Sequence, residues 1–118
     1  MSRNDRLLIA TYAAISVFAL FATWSNNLAF FALPDNGGLL GFIAATKANP
    51  AAASIANDIA LFSCAAFIFM VLEARKLGIR FVWLYIALSL AIAVSVMFPL
   101  FLIARQLRLA QQGTPGAA

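Results

Sequence analysis

The chain contains no histidine, one cysteine and only four acidic side chains among 118 residues. Without histidine it lacks the commonest metal ligand and the commonest general base near neutral pH. A single cysteine, Cys64, excludes an internal disulfide. No P-loop, GxGxxG, HExxH or GxSxG pattern occurs. The sequence therefore supplies no catalytic constellation, no cofactor motif and no metal-ligand set, and a non-enzymatic role is expected. Charged residues of both signs amount to 10%, against about 25% in ordinary soluble domains.

What is abundant is apolar surface. Hydrophobic residues make up 64% of the chain, more than a soluble fold of this size can hide. The lipid bilayer is the expected solvent and first partner. The net charge is +4, but the basic residues flank apolar runs, as membrane anchors do; no nucleic acid is expected as a partner. The length allows one domain.

A hydrocarbon core about 30 Å thick needs roughly 20 apolar residues as helix. Three runs qualify, at about 7–33, 51–72 and 81–104. Only helices can satisfy their backbone there, because three strands cannot close a barrel. The predicted architecture is all-α: a single domain, residues 1–109, of three transmembrane helices, followed by a disordered tail at 110–118. The first run is too long for a signal peptide and no A-x-A site follows it, so an uncleaved anchor is expected. Between the first two runs, "DNGG" makes a turn. Leu39, Leu40, Phe42 and Ile43 then form either a short interfacial helix or an irregular loop. Asn49 and Pro50 suit the cap and first turn of the second helix, and Gly78 suits its stop.

With three spans, Arg3, Arg6, Arg75, Lys76 and Arg80 share one side, and Lys47, Arg105 and Arg108 the other. The positive-inside rule then puts the N-terminus and the basic loop Arg75, Lys76, Arg80 in the cytoplasm and the C-terminus outside. Trp83 and Tyr85 suit an aromatic belt at the inner face, and Trp24 one at the outer face.

Asp58 is the residue that needs explaining. It lies 14 residues from Leu72, about 21 Å into the membrane at 1.5 Å per residue. Counting equal depths along the other spans brings Ser95, Thr23, Asn26 and Asn27 to a similar level. Ser54 and Asn57 accompany Asp58 on its own helix. Pro99 lacks the N–H that would bond the Ser95 carbonyl, so that carbonyl is expected free beside Asp58. A protonated Asp58 would donate to it; an ionised one would accept from Ser95, Thr23, Asn26 or Asn27. Stripes of small residues, Ala87, Ala91, Ser95, Pro99 and Ala52, Ala56, Ala60, Cys64, suit close helix packing. Asp58 points away from the second stripe, which predicts a central second helix. Glu73 is expected to pair with Lys76 one turn on.

"ANP" before a helix, Asp58 within it, "EARKLGIR" after it and "FPLFLIARQLRL" near the end, taken together, resemble a bacterial membrane family catalogued as domain of unknown function 2834. The resemblance runs from about Leu7 to Leu109 and rests on Asn49-Pro50, Asp58, Glu73, Arg75, Gly78, Pro99, Leu100, Phe101 and Arg105 in order. The first span and the "DNGG" loop carry little of it. It implies a small integral protein with helical spans, and no activity. The favoured reading is a structural or accessory subunit of the bacterial inner membrane, packing with itself as a homo-oligomer or with a larger membrane protein. Two alternatives are a proton or ion transport component centred on Asp58, and a membrane enzyme or binding protein for an isoprenoid or other lipid-like molecule.

Overall fold

The structure, a computed structural model, describes residues 1–112. Among these residues there are five helices and no strand: α1 (Arg3–Phe31), α2 (Gly38–Ala45), α3 (Pro50–Leu77), α4 (Val82–Ala91) and α5 (Val94–Gln111). The all-α expectation holds. Two helices, α1 and α3, are long and apolar enough to cross a membrane; three were expected. The third apolar run is divided between α4 and α5.

Local chemistry explains most boundaries. Ser2 and Asp5 form a reciprocal capping box at the start of α1: Asp5 N donates to Ser2 Oγ at 3.1 Å and Ser2 N to Asp5 Oδ2 at 2.9 Å. After α1, Asn36 Nδ2 donates to the Phe31 and Leu33 carbonyls, while its Oδ1 accepts from Gly38 N at 2.7 Å. Gly37 has φ 78° and Gly38 φ 67°, conformations that glycine adopts without penalty. The alternative of a short helix wins over an irregular loop. The α2 residue Phe42 packs on the rings of Phe30 and Phe31. At α3, Asn49 Oδ1 accepts from Ala52 N at 2.8 Å and Pro50 occupies the first turn. Gly78, at φ 71°, ends the helix.

α4 ends where Ile92 N donates to Leu88 O at 2.7 Å. Ala93 is extended, and its carbonyl accepts from Val96 N and Met97 N to begin α5. Two α1 side chains hold this break. Trp24 Nε1 donates to the Ile92 carbonyl at 2.9 Å, and Ser16 Oγ to the Val96 carbonyl at 2.8 Å. The stripe Ala87, Ala91, Ser95, Pro99 therefore does not share a helix face, because the chain turns in its middle.

Pairings give the directions. Asp5, Ser16 and Trp24 of α1 meet Gln106, Val96 and Ile92, so α1 runs antiparallel to α5. Phe62, Glu73 and Leu77 meet Phe98, Arg105 and Arg108, so α3 runs parallel to α5. The α4 helix packs back against α5 as a helical hairpin, with Tyr85 edge-on to Phe101. α5 is thus the central helix, flanked by α1, α3 and α4, where the sequence reading put the second span. The tightest core is Met70, Ala74 and Phe101. On α3 the packing stripe is Ala66, Met70 and Ala74, whereas Ala60 and Cys64 of the expected stripe are exposed.

Two further expectations are corrected. α5 continues through 110 and 111, which the predicted disordered tail included; residues 113–118 of that tail lie outside the described residues. The ends of α1 and α5 were expected on opposite faces, yet Asp5 Oδ1 accepts from Gln106 Nε2 at 2.6 Å. The start of α1, the α3–α4 turn and the end of α5 share one end of a body 53 Å long. The hairpin is the reason: α5 returns to the end from which α4 left. Seven of the eight Lys and Arg residues consequently gather there, Arg105 and Arg108 joining Arg3, Arg6, Arg75, Lys76 and Arg80; Lys47 stands apart.

Candidate functional site

Asp58, Ser95 and Pro99 do come together. With Ile15, Ile59, Phe62, Val94 and Phe98 they line a groove of about 270 Å³ between α3 and α5. Asp58 is exposed, and among the described residues no hydrogen bond reaches its carboxyl group. The groove sets it beside the first turn of α5, which Ala93 caps with no side-chain hydrogen bond. A carboxylate suits the positive end of a helix dipole; Val96 N and Met97 N bond the Ala93 carbonyl, and the N–H groups of Val94 and Ser95 before them have no intrahelical acceptor.

The other predicted members do not join. Thr23 Oγ1 donates to the Ala19 carbonyl and Asn26 Nδ2 to the Ala22 carbonyl, each at 2.8 Å and each within α1. Asn27 is half-buried on the same helix, and Ser54 is exposed on α3. Asn57 Oδ1 accepts from Lys47 Nζ at 3.4 Å. The cause is the position of α5: α1 packs on α5 and lends only Ile15 to the groove. The Ser95 carbonyl forgoes the bond that Pro99 cannot make, but the hydroxyl arriving from α1, Ser16, takes the neighbouring Val96 carbonyl.

A second polar assembly, of which the sequence reading foresaw only the Glu73–Lys76 pair, fastens the basic end. Glu73 Oε2 accepts from Arg105 Nε at 2.8 Å and Oε1 from Lys76 Nζ at 3.4 Å. The expected Glu73–Lys76 pair therefore exists, but the shorter bond goes to α5. Arg105 also lies 5.8 Å over the Phe69 ring. Arg108 Nε donates to the Leu77 carbonyl at 2.9 Å, closing the C-terminus of α3. Gln106 is almost wholly buried and Asp5 nearly so. Both carboxylates lie outside the apolar spans and titrate below their ordinary range. For Glu73 the chief cause is the Arg105 hydrogen bond, which outweighs desolvation. For Asp5 it is the Ser2 backbone N–H, then Gln106 and the Ser2 hydroxyl. The signal for Asp5 was in the sequence, as Ser2-x-x-Asp5 has capping-box spacing. Gln106 and Trp24 carried no local signal.

Arg75, Lys76 and Arg80, the predicted basic loop, are all exposed at this end. Among the described residues Lys76 alone of the three has an ionic partner, Glu73.

A family model described as "Protein of unknown function DUF2834" matches residues 11–107. No curated protein and no solved structure matches the chain.

Proposed function

The chain belongs to that family of proteins of unknown function, and from this premise we propose that it is a non-enzymatic integral protein of the bacterial inner membrane, an accessory subunit that packs with a second copy or a larger membrane protein. In this reading α1 and α3 cross the bilayer. The α4–α5 pair is a re-entrant hairpin: α4 and the apolar part of α5, Val94 to Ala104, each extend about 15–17 Å, roughly half of a 30 Å core. Non-helical backbone at that depth is tolerated where protein covers it, and Trp24 and Ser16 give such cover. The end with seven cations faces the cytoplasm by the positive-inside rule.

One observation carries the assembly role. Asp58 is exposed about 21 Å along α3 from Leu72, without a hydrogen-bond partner among the described residues. Ionisable side chains within a membrane face other protein or a water-filled cavity, and the 270 Å³ groove has room for a polar side chain from a partner. Native mass spectrometry in mild detergent tests this by comparing wild type with Asp58→Asn and Asp58→Leu. The assembly role requires an oligomer or co-purifying subunit that Asn retains and Leu loosens.

The neighbourhood of Asp58 and the open first turn of α5 favours a second reading, proton or ion conduction. Liposome flux that Asp58→Asn abolishes, with assembly unchanged, would replace the accessory role by this one.

A further inference from the structure

We propose that the basic end of the bundle binds an anionic phospholipid, with the headgroup on the exposed cations and one acyl chain in the apolar groove between α4 and α5. The inference rests on the membrane reading above and adds a selected ligand to it.

Asp5 and Glu73, the two carboxylates at this end among the described residues, are both engaged, by Ser2 and Gln106 and by Arg105 and Lys76. Arg105 and Arg108 are spent within the fold, on Glu73 and on the Leu77 carbonyl. Arg3, Arg6, Arg75, Lys76 and Arg80 remain exposed at the surface. Five exposed cations at one membrane boundary are complementary to phosphate headgroups, and clusters of four to eight such residues are recognised by anionic lipids.

The groove supplies the second half. It encloses about 440 Å³ and is lined by Leu84, Leu88, Met97, Leu100, Ile103 and Leu107 among others. Leu107 adjoins Arg108, and Leu84 lies one turn beyond Arg80, so the groove starts at the basic end. From Leu107 to Met97 it runs ten residues, about 15 Å. That is half of a hydrocarbon core about 30 Å thick, the reach of one acyl chain in one leaflet.

The full chain, purified in mild detergent, is titrated with phosphatidylglycerol, with phosphatidylcholine of the same acyl chains and with inorganic phosphate, and retained lipid is read by native mass spectrometry. Phosphatidylglycerol is expected to be retained at least tenfold more strongly than phosphatidylcholine, and phosphate alone not to compete. The surface variant Arg75→Gln/Lys76→Gln/Arg80→Gln should bring the two lipids within about threefold of each other. Ala104→Phe, which fills the groove, should weaken retention of both at least tenfold; the charge variant decides the matter if this one does not fold. Equal retention of the two lipids by wild type, an unchanged preference in the charge variant, displacement by phosphate, or unchanged retention by a folded Ala104→Phe protein would each overturn the proposal. The membrane reading itself fails separately, if alkaline carbonate releases the chain from membranes.

Discussion

Asp5 Oδ1 accepts a hydrogen bond from Gln106 Nε2 at 2.6 Å, joining positions 101 residues apart. This bond ties the first turn of α1 to the last turns of α5 and sets both ends of the described chain at one end of the bundle. The same carboxylate also caps α1 through Ser2, so one side chain serves a local and a long-range contact.

The acid response follows from this. Asp5 and Glu73 both titrate below the ordinary carboxylate range in the folded protein. A depressed folded value means the stabilisation is complete above the unfolded values, about 4, and is lost as pH falls through the folded ones. Thermal stability in detergent should therefore hold from pH 7 to about 5 and drop below about 4. Glu73→Gln should flatten part of that drop. An acid profile unchanged in Glu73→Gln/Asp5→Asn would show that neither carboxylate contributes.

Glu73 also predicts a stability effect at neutral pH. Removing it with Glu73→Ala strands the half-buried Arg105 guanidinium, and a hydrogen bond to a charged group is worth about 1.5–3 kcal/mol. Partial solvent screening lowers the expectation to about 1–2 kcal/mol. Denaturation in mixed micelles would measure it, and Glu73→Asp should recover less than half, since the shorter side chain does not reach both Arg105 of α5, 2.8 Å from Glu73, and Lys76, 3.4 Å from it.

The hairpin break depends on α1. Trp24→Phe removes the donor to the Ile92 carbonyl and Ser16→Ala the donor to the Val96 carbonyl. Each should cost about 0.6–2 kcal/mol, the measured span for membrane hydrogen bonds, and each should speed amide exchange at Ala93–Val96. Exchange there that matches wild type in the double variant would mean that the break is held from within the hairpin alone.

How far the sequence foretells this architecture depends on where the cause lies. Asn49-Pro50, Gly78 and the Asn36-Gly37-Gly38 turn were readable because each acts through its own backbone: a cap to Ala52, a φ of 71°, and glycine conformations at 78° and 67°. At Gly41 an added Cβ would collide with the Asn36 carbonyl, again a local necessity. The break at Ile92–Ala93 had no such mark. "LSLAIAVSVMF" contains neither glycine nor proline, and the one proline nearby, Pro99, lies buried inside α5. Its carbonyls are satisfied by α1, about 70–80 residues away in sequence, and no local pattern reports such a donor. Depth counting still brought Asp58 to Ser95 and Pro99, although it assumed an unbroken span antiparallel to α3, because both residues lie in the first turns of α5, close to the hairpin tip that α4 reaches. It failed for Thr23, Asn26 and Asn27, because depth says nothing about which helix stands between two others.

The most direct test of the account is the sidedness of the α5 end. Single cysteines at Lys47, Lys76 and Gln112, in a Cys64→Ala background, are labelled with a membrane-impermeant thiol reagent in intact cells and again after permeabilisation. The hairpin arrangement predicts that Lys76 and Gln112 behave alike, both labelled only after permeabilisation, while Lys47 is labelled in intact cells. Labelling of Lys76 and Gln112 from opposite sides would contradict it and restore a third complete crossing.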